Sequence, residues 1–154
     1  MGSKNIEIST NGLFSLLEGE PENARRLLVK GSVPPPAPFN DRLKRLLQAK
    51  SMTAPELIAA ADISKAYTYQ LLRGERRAGR DVVLRISLAL RLSVEEAQRL
   101  LTLSENSPLY PRLRRDAAII FALSNGLSLA EVEDLLTELP EKTLYGGGGA
   151  GELY

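Results

Sequence analysis

Residues Thr53 to Gly74 read TAPELIAAADISKAYTYQLLRG, two short helical patterns placed back to back. Each opens on a hydroxyl side chain. Thr53 is followed three residues later by Glu56, so the threonine oxygen can accept from a first-turn amide while the carboxylate reaches back, as in a capping box. Pro55 suits that first turn, whose amides have no partner inside the helix to lose. The pattern runs through Leu57, Ile58 and Ala61, stops at Asp62, restarts on Ser64 and ends at Gly74. A capped helix, a break of about three residues and a second capped helix is a helix-turn-helix pattern.

Outward from this motif, NDRLKRLLQAK predicts a preceding helix with Asn40 as its cap and Leu43, Leu46 and Leu47 on one face, leaving Arg42, Lys44 and Arg45 toward solvent. After the motif comes the arginine-rich loop ERRAGR. Asp81 then opens DVVLRISLAL, apolar enough to be buried on more than one side, and Ser93 with Glu96 makes a second capping box before VEEAQRLLTL. Five helices around one core are therefore expected over residues 39–104.

The stretch from Phe39 to Leu103 resembles the Cro and phage-repressor class of helix-turn-helix domains, the Xre family of bacterial regulators. ELIAAADIS, SKAYTYQLLRGERR and SVEEAQRLL carry the resemblance. It implies that the second helix of the motif, residues 64–73, enters the major groove of double-stranded DNA, usually as one half of a dimer. The chain departs from the family at three places: Asp62 stands where glycine is usual, Ile58 where a small alanine is usual, and Thr68 where an aliphatic core residue is usual.

Two further helices follow, from about Arg112 to Asn125 and from Leu129 to Leu139, with Gly126 as a left-handed stop between them and Ser128 with Glu131 as a third capping box. This hairpin, within residues 105–139, repeats the one before it. Shifting 81–103 by 35 residues onto 116–138 needs no gap and gives eight identities in 23 positions, which points to stacked hairpins sharing an apolar seam. The fold class is thus all-α, a five-helix repressor-like domain extended by a C-terminal two-helix hairpin. Ala117 to Leu123 is an unbroken apolar run, so one face, around Ile120 or Leu123, needs a cover. Ile120 and Leu123 are the candidate assembly surface.

The ends read differently. The opening MGSK reads as an expression remnant. Residues 1–38 offer two apolar clusters split by Glu20-Pro21, predicting a brief helical turn and a second helix from Pro21, and then GSVPPPAPF, a stiff linker. Residues 140–154, EKTLYGGGGAGELY, read as a flexible glycine-rich tail.

Composition narrows the function. The chain has no histidine and no cysteine, which removes the usual zinc ligands, the Ser-His and Cys-His nucleophile pairs and the commonest neutral-pH base. No enzyme, metal or cofactor is expected. With no long apolar run and no signal pattern, a cytoplasmic protein with no membrane contact is expected. Net charge is +1, but residues 39–80 carry nine basic and four acidic side chains against seven and eleven in 81–154. The positive excess falls on the motif, as in a nucleic-acid-binding module.

Within the motif, Ser64 capping puts Lys65, Ala66, Tyr69 and Gln70 toward the exposed side and Ile63, Tyr67 and Leu71 toward the core. By resemblance, Tyr69 and Gln70 fall where base edges are read, and a glutamine amide can bond adenine through two atoms. Arg73, Arg76, Arg77 and Arg80 suit phosphates, with Lys65. Two function classes stand: a sequence-specific DNA-binding regulator acting as a homodimer, or an adaptor that keeps the fold and holds a protein partner through the N-terminal segment or C-terminal hairpin.

Overall fold

The computed structural model describes residues 10–29 and 38–145. The chain divides into two compact units, 1–36 and 37–154. Among the described residues there are nine helices and no strand. In the first unit α1 (Thr10–Glu18) packs on α2 (Pro21–Val29), and Phe14, Leu16, Leu28 and Val29 are exposed. Its first helix has nine residues, more than the brief turn expected, because Thr10 to Glu18 contains no proline. Residues 31–37 of the proline-rich linker and the four consecutive glycines lie outside the described residues, as does the opening MGSK, while Pro38 and Phe39 belong to the start of α3.

In the second unit α3 (Phe39–Ala49), α4 (Ala54–Ala61), α5 (Lys65–Leu72), α6 (Arg80–Ala89) and α7 (Val94–Leu103) surround one core. α4 rests mainly on α6 and α5, and α3 on α5 and α7. All three capping boxes form. The Glu56 carboxylate accepts from the Thr53 amide at 2.9 Å and Glu96 from Ser93 at 2.9 Å, each serine or threonine oxygen accepting in return. The Thr53 amide, and then its hydroxyl, hold the Glu56 carboxyl below the usual range.

Asn40 is not a cap. α3 starts two residues earlier than an Asn40 cap would place it, on Phe39, with Pro38 at its boundary (φ −59°, ψ 152°) and no side-chain cap bond. Proline presets the extended entry, so the asparagine falls inside the first turn. There its side chain closes on Gly74, where an added Cβ would lie 3.1 Å from Asn40 Nδ2 and φ is +74°.

α8 (Arg114–Asn125) and α9 (Leu129–Glu138) form the second hairpin, and the repeat is longer than 23 positions. Arg80/Arg115, Leu109/Leu144 and Tyr110/Tyr145 keep the same shift of 35, giving eleven identities over 80–110 and 115–145. The bonds repeat as well. Arg80 donates to the carbonyls of Ser107 (2.9 Å) and Pro108 (3.0 Å), and Arg115 to those of Lys142 (2.6 Å) and Thr143 (3.0 Å). The amide of Leu109 donates to Gln98 and that of Leu144 to Glu133, again 35 apart. Residues 140–145 are therefore not tail, and Leu144 is fully buried. The arginine that opens each hairpin holds the segment that closes it.

The two hairpins also clasp each other. Arg80 bonds both oxygens of buried Asp116 (3.2 and 2.9 Å), while Arg115 bonds Asp81 (3.2 Å). At the other end of α6, Arg91 donates to the carbonyl of Gly126, its counterpart in the repeat, at 3.0 Å; both residues are left-handed (φ 52° and 64°).

Candidate nucleic-acid interface

α4 ends on Asp62, whose φ of 53° and ψ of 54° are left-handed, as expected where glycine is usual. After Ile63, the Ser64 hydroxyl accepts from the Tyr67 amide at 3.1 Å and starts α5. The core side of α5 is Ile63, Tyr67 and Leu71, at 7%, 3% and 0% exposure. Thr68 is buried too. Its hydroxyl donates to the Ser64 carbonyl at 2.8 Å, which satisfies the polar atom that an aliphatic residue would lack. Tyr67 anchors the loop behind α5 by donating to the Arg77 carbonyl at 3.4 Å.

That burial fixes what the other side of α5 presents. Lys65 and Ala66 are exposed at its first turn, and Tyr69 and Gln70 are half-buried beside them. The Gln70 oxygen accepts from Arg76 at 3.3 Å, and the Arg76 guanidinium lies over the Tyr67 ring at 5.4 Å. Arg73 is exposed and paired with Glu75 at 2.9 Å, which raises its pKa. Exposed pairs of this kind are weak and separable by salt or a competing anion.

Arg77 and Arg80 sit differently. Arg77 donates to the carbonyls of Ser104 (3.0 Å) and Glu105 (2.8 Å), closing the end of α7. Arg80 spends Nε and both terminal nitrogens on Ser107, Pro108 and Asp116. A phosphate would have to compete with those oxygens. Nothing in the loop sequence ERRAGR distinguishes these two from Arg76; for Arg80 the signal lies in the second Arg-Asp pair 35 residues on, at Arg115-Asp116.

The turn carries one contact that sequence reasoning missed. Arg85, 3% exposed on α6, donates through Nε to the Ala61 carbonyl (3.2 Å) and through a terminal nitrogen to the Leu144 carbonyl (3.3 Å). Its guanidinium stacks on Tyr145 at 4.5 Å. Burial, then the neighbouring Asp62 carboxylate, pushes the Tyr145 pKa up to about 12 against the opposing effect of Arg85. The Leu-Tyr end of the second hairpin is thus tied to the turn between α4 and α5.

Of the two assembly candidates, Leu123 is 7% exposed and belongs to the core, and Ile120 is half-buried against it. α8 packs on α6, α7 and α9, which covers that side. The exposed apolar side chain of α8 is Phe121, at 54%.

Residues 42–100 match the family described as Cro/C1-type HTH DNA-binding domain. No curated protein and no solved structure matches the chain. The match spans most of α3 through α7, the segment that contains the helix-turn-helix. Among the described residues no helix is long and apolar enough to cross a membrane.

Proposed function

We propose, from the Cro/C1-type domain over residues 42–100, that this chain is a sequence-specific transcriptional regulator that lays α5 in the major groove of double-stranded DNA. The observation that carries it is the division of α5 between a buried back, Tyr67, Thr68 and Leu71, and an open front that begins on Lys65 and Ala66. Gln70 and Tyr69 read base edges beside that open turn, and Lys65, Arg73 and Arg76 contact phosphates. Arg77 and Arg80 contribute by holding the loop behind α5 in place. A short reading helix spans few base pairs, so two copies on paired half-sites supply the specificity.

The experiment is a titration of the full chain against random duplex DNA at roughly 50 mM salt, followed by selection of a preferred site. Sequence-independent binding that falls steeply with salt, plus a tighter selected site, is the expected result. No detectable affinity at low salt ends the regulator reading. It would leave the adaptor reading, which the internal commitment of Arg77 and Arg80 favours, in which the same body holds a protein partner.

A further inference from the structure

α6 and α8 correspond at the shift of 35, and Arg85, 3% exposed on α6, stands where α8 carries Ile120. A buried guanidinium is costly to desolvate, and an apolar residue of similar volume fills such a site with little or no loss of stability. What the arginine adds is direction, because its planar fork of donors meets acceptors at fixed angles. Its Nε donates to the carbonyl of Ala61, the last residue of α4, at 3.2 Å. The closing carbonyls of a helix lack an internal donor and attract a cation, so this bond ties α6 to the point where α4 ends. The chain turns left-handed at Asp62 immediately afterwards, and Ser64 starts α5.

A second difference between the hairpins supplies the other acceptor of Arg85. In the first hairpin Gln98 holds both backbone groups of Leu109, accepting from the amide at 2.7 Å and donating to the carbonyl at 2.9 Å. The corresponding residue of the second is Glu133, whose carboxylate accepts from the Leu144 amide at 3.1 Å and has nothing to donate. The Leu144 carbonyl is taken by Arg85 instead, at 3.3 Å. Glu133 thus leaves open the acceptor that Arg85 fills. Tyr145 completes the bridge. Its ring lies 4.5 Å from the Arg85 guanidinium, and it lines one cleft with Ala60 and Asp62 at the end of α4 and with Leu129 and Ala130 at the start of α9.

We propose that Arg85 and Tyr145 are positioning residues for α5: through the turn at 61–63 they fix the direction in which the reading helix leaves α4, and they make that direction depend on the closing segment of the second hairpin. The inference rests on the reading of α5 as a DNA-reading helix and adds to it two residues outside the motif, one of them outside the matched segment 42–100. Direction matters to the two kinds of DNA contact unequally. A side chain that bonds a base edge through two atoms needs its helix at one angle, whereas a cation beside a phosphate tolerates a shift. Releasing the bridge therefore costs base preference before it costs affinity.

Site selection with the full chain, followed by titration of the selected site and of random duplex, tests it. Arg85→Met and, independently, Tyr145→Ala are expected to stay folded and to lower the ratio of selected-site to random affinity by about tenfold, the size of one lost base contact, with random-DNA affinity and salt slope unchanged. Tyr145→Phe keeps the ring and should keep the wild-type ratio. The proposal is overturned by a ratio that survives either of the first two variants, by a ratio lost in Tyr145→Phe, or by selected-site and random affinity falling together. If one of the first two unfolds, the other decides; if both unfold, the contact serves the fold alone and the proposal falls. Amide hydrogen exchange without DNA separates the bridge from the reading it rests on. Should the wild type show no preferred site, the regulator reading falls and exchange decides: faster exchange across 61–72 in Tyr145→Ala, absent in Tyr145→Phe, supports the bridge, and any other pattern overturns it.

Discussion

Asp62 occupies left-handed backbone, which costs an aspartate up to about 1 kcal/mol relative to glycine. Its carboxylate also lies close enough to the Tyr145 hydroxyl to interact with it, which offsets part of that cost. The two effects oppose each other, so Asp62→Gly alone is expected to leave the melting temperature nearly unchanged. In a Tyr145→Phe background the same substitution should raise it, and a double-mutant cycle by thermal unfolding checks this. Tyr145 adds an alkaline signature. Its folded pKa of about 12 lies above the unfolded value of 10.0, so above pH 10 the unfolded state loses its proton first. The stability from this group is complete below pH 10 and is lost as pH rises through about 12. Tyr145→Phe should lose less stability than the wild type across that interval. The left-handed turn was legible in the sequence because backbone geometry is local, written in a break between two caps. The tyrosine contact was not, since it joins positions 83 residues apart.

Among the elements, α5 was the most legible, because its caps and its spacing of four are properties of one helix. The arginines after it were not, because residue type alone does not say whether a guanidinium faces phosphate or carbonyl. Their roles predict opposite phenotypes. Gln70→Ala should relax preference at one base position at a cost of roughly 1–3 kcal/mol on the best site, with stability unchanged. Arg76→Ala should weaken all sequences alike and make the salt slope shallower by about one unit. Arg80→Ala, by contrast, leaves the buried Asp116 carboxylate with the Tyr110 amide but no cation and should lower folding stability by on the order of 3 kcal/mol in denaturant unfolding, with less effect on the salt slope. The repeat shows the same limit. Its helical part stood out through capping boxes and leucines, while the closing Leu-Tyr pairs, at 109–110 and 144–145, lie outside any periodic segment and look like loop and tail.

At the scale of the whole molecule, the apolar run of α8 told that the helix is nearly enclosed but not which side stays open. Periodicity gives the faces of one helix, whereas the open side depends on which neighbours arrive, and Leu123 proved inner and Phe121 outer. The same long-range packing places the motif and the second hairpin in one compact unit. Arg85 bonds Ala61 at the end of α4 and Leu144 at the end of the chain's second repeat, and Leu144 is fully buried. Leu144→Ala should therefore cost about 2–5 kcal/mol, the range for emptying a leucine site in a packed core. The loss should appear as a downward shift of a single cooperative transition, with far-UV signal and Tyr fluorescence melting together. Two separated transitions, one unmoved from the wild type, would mean that α8 and α9 fold apart from the DNA-binding domain. A single shifted transition accompanied by weaker DNA binding would place the second hairpin among the parts that hold α5 in reading position.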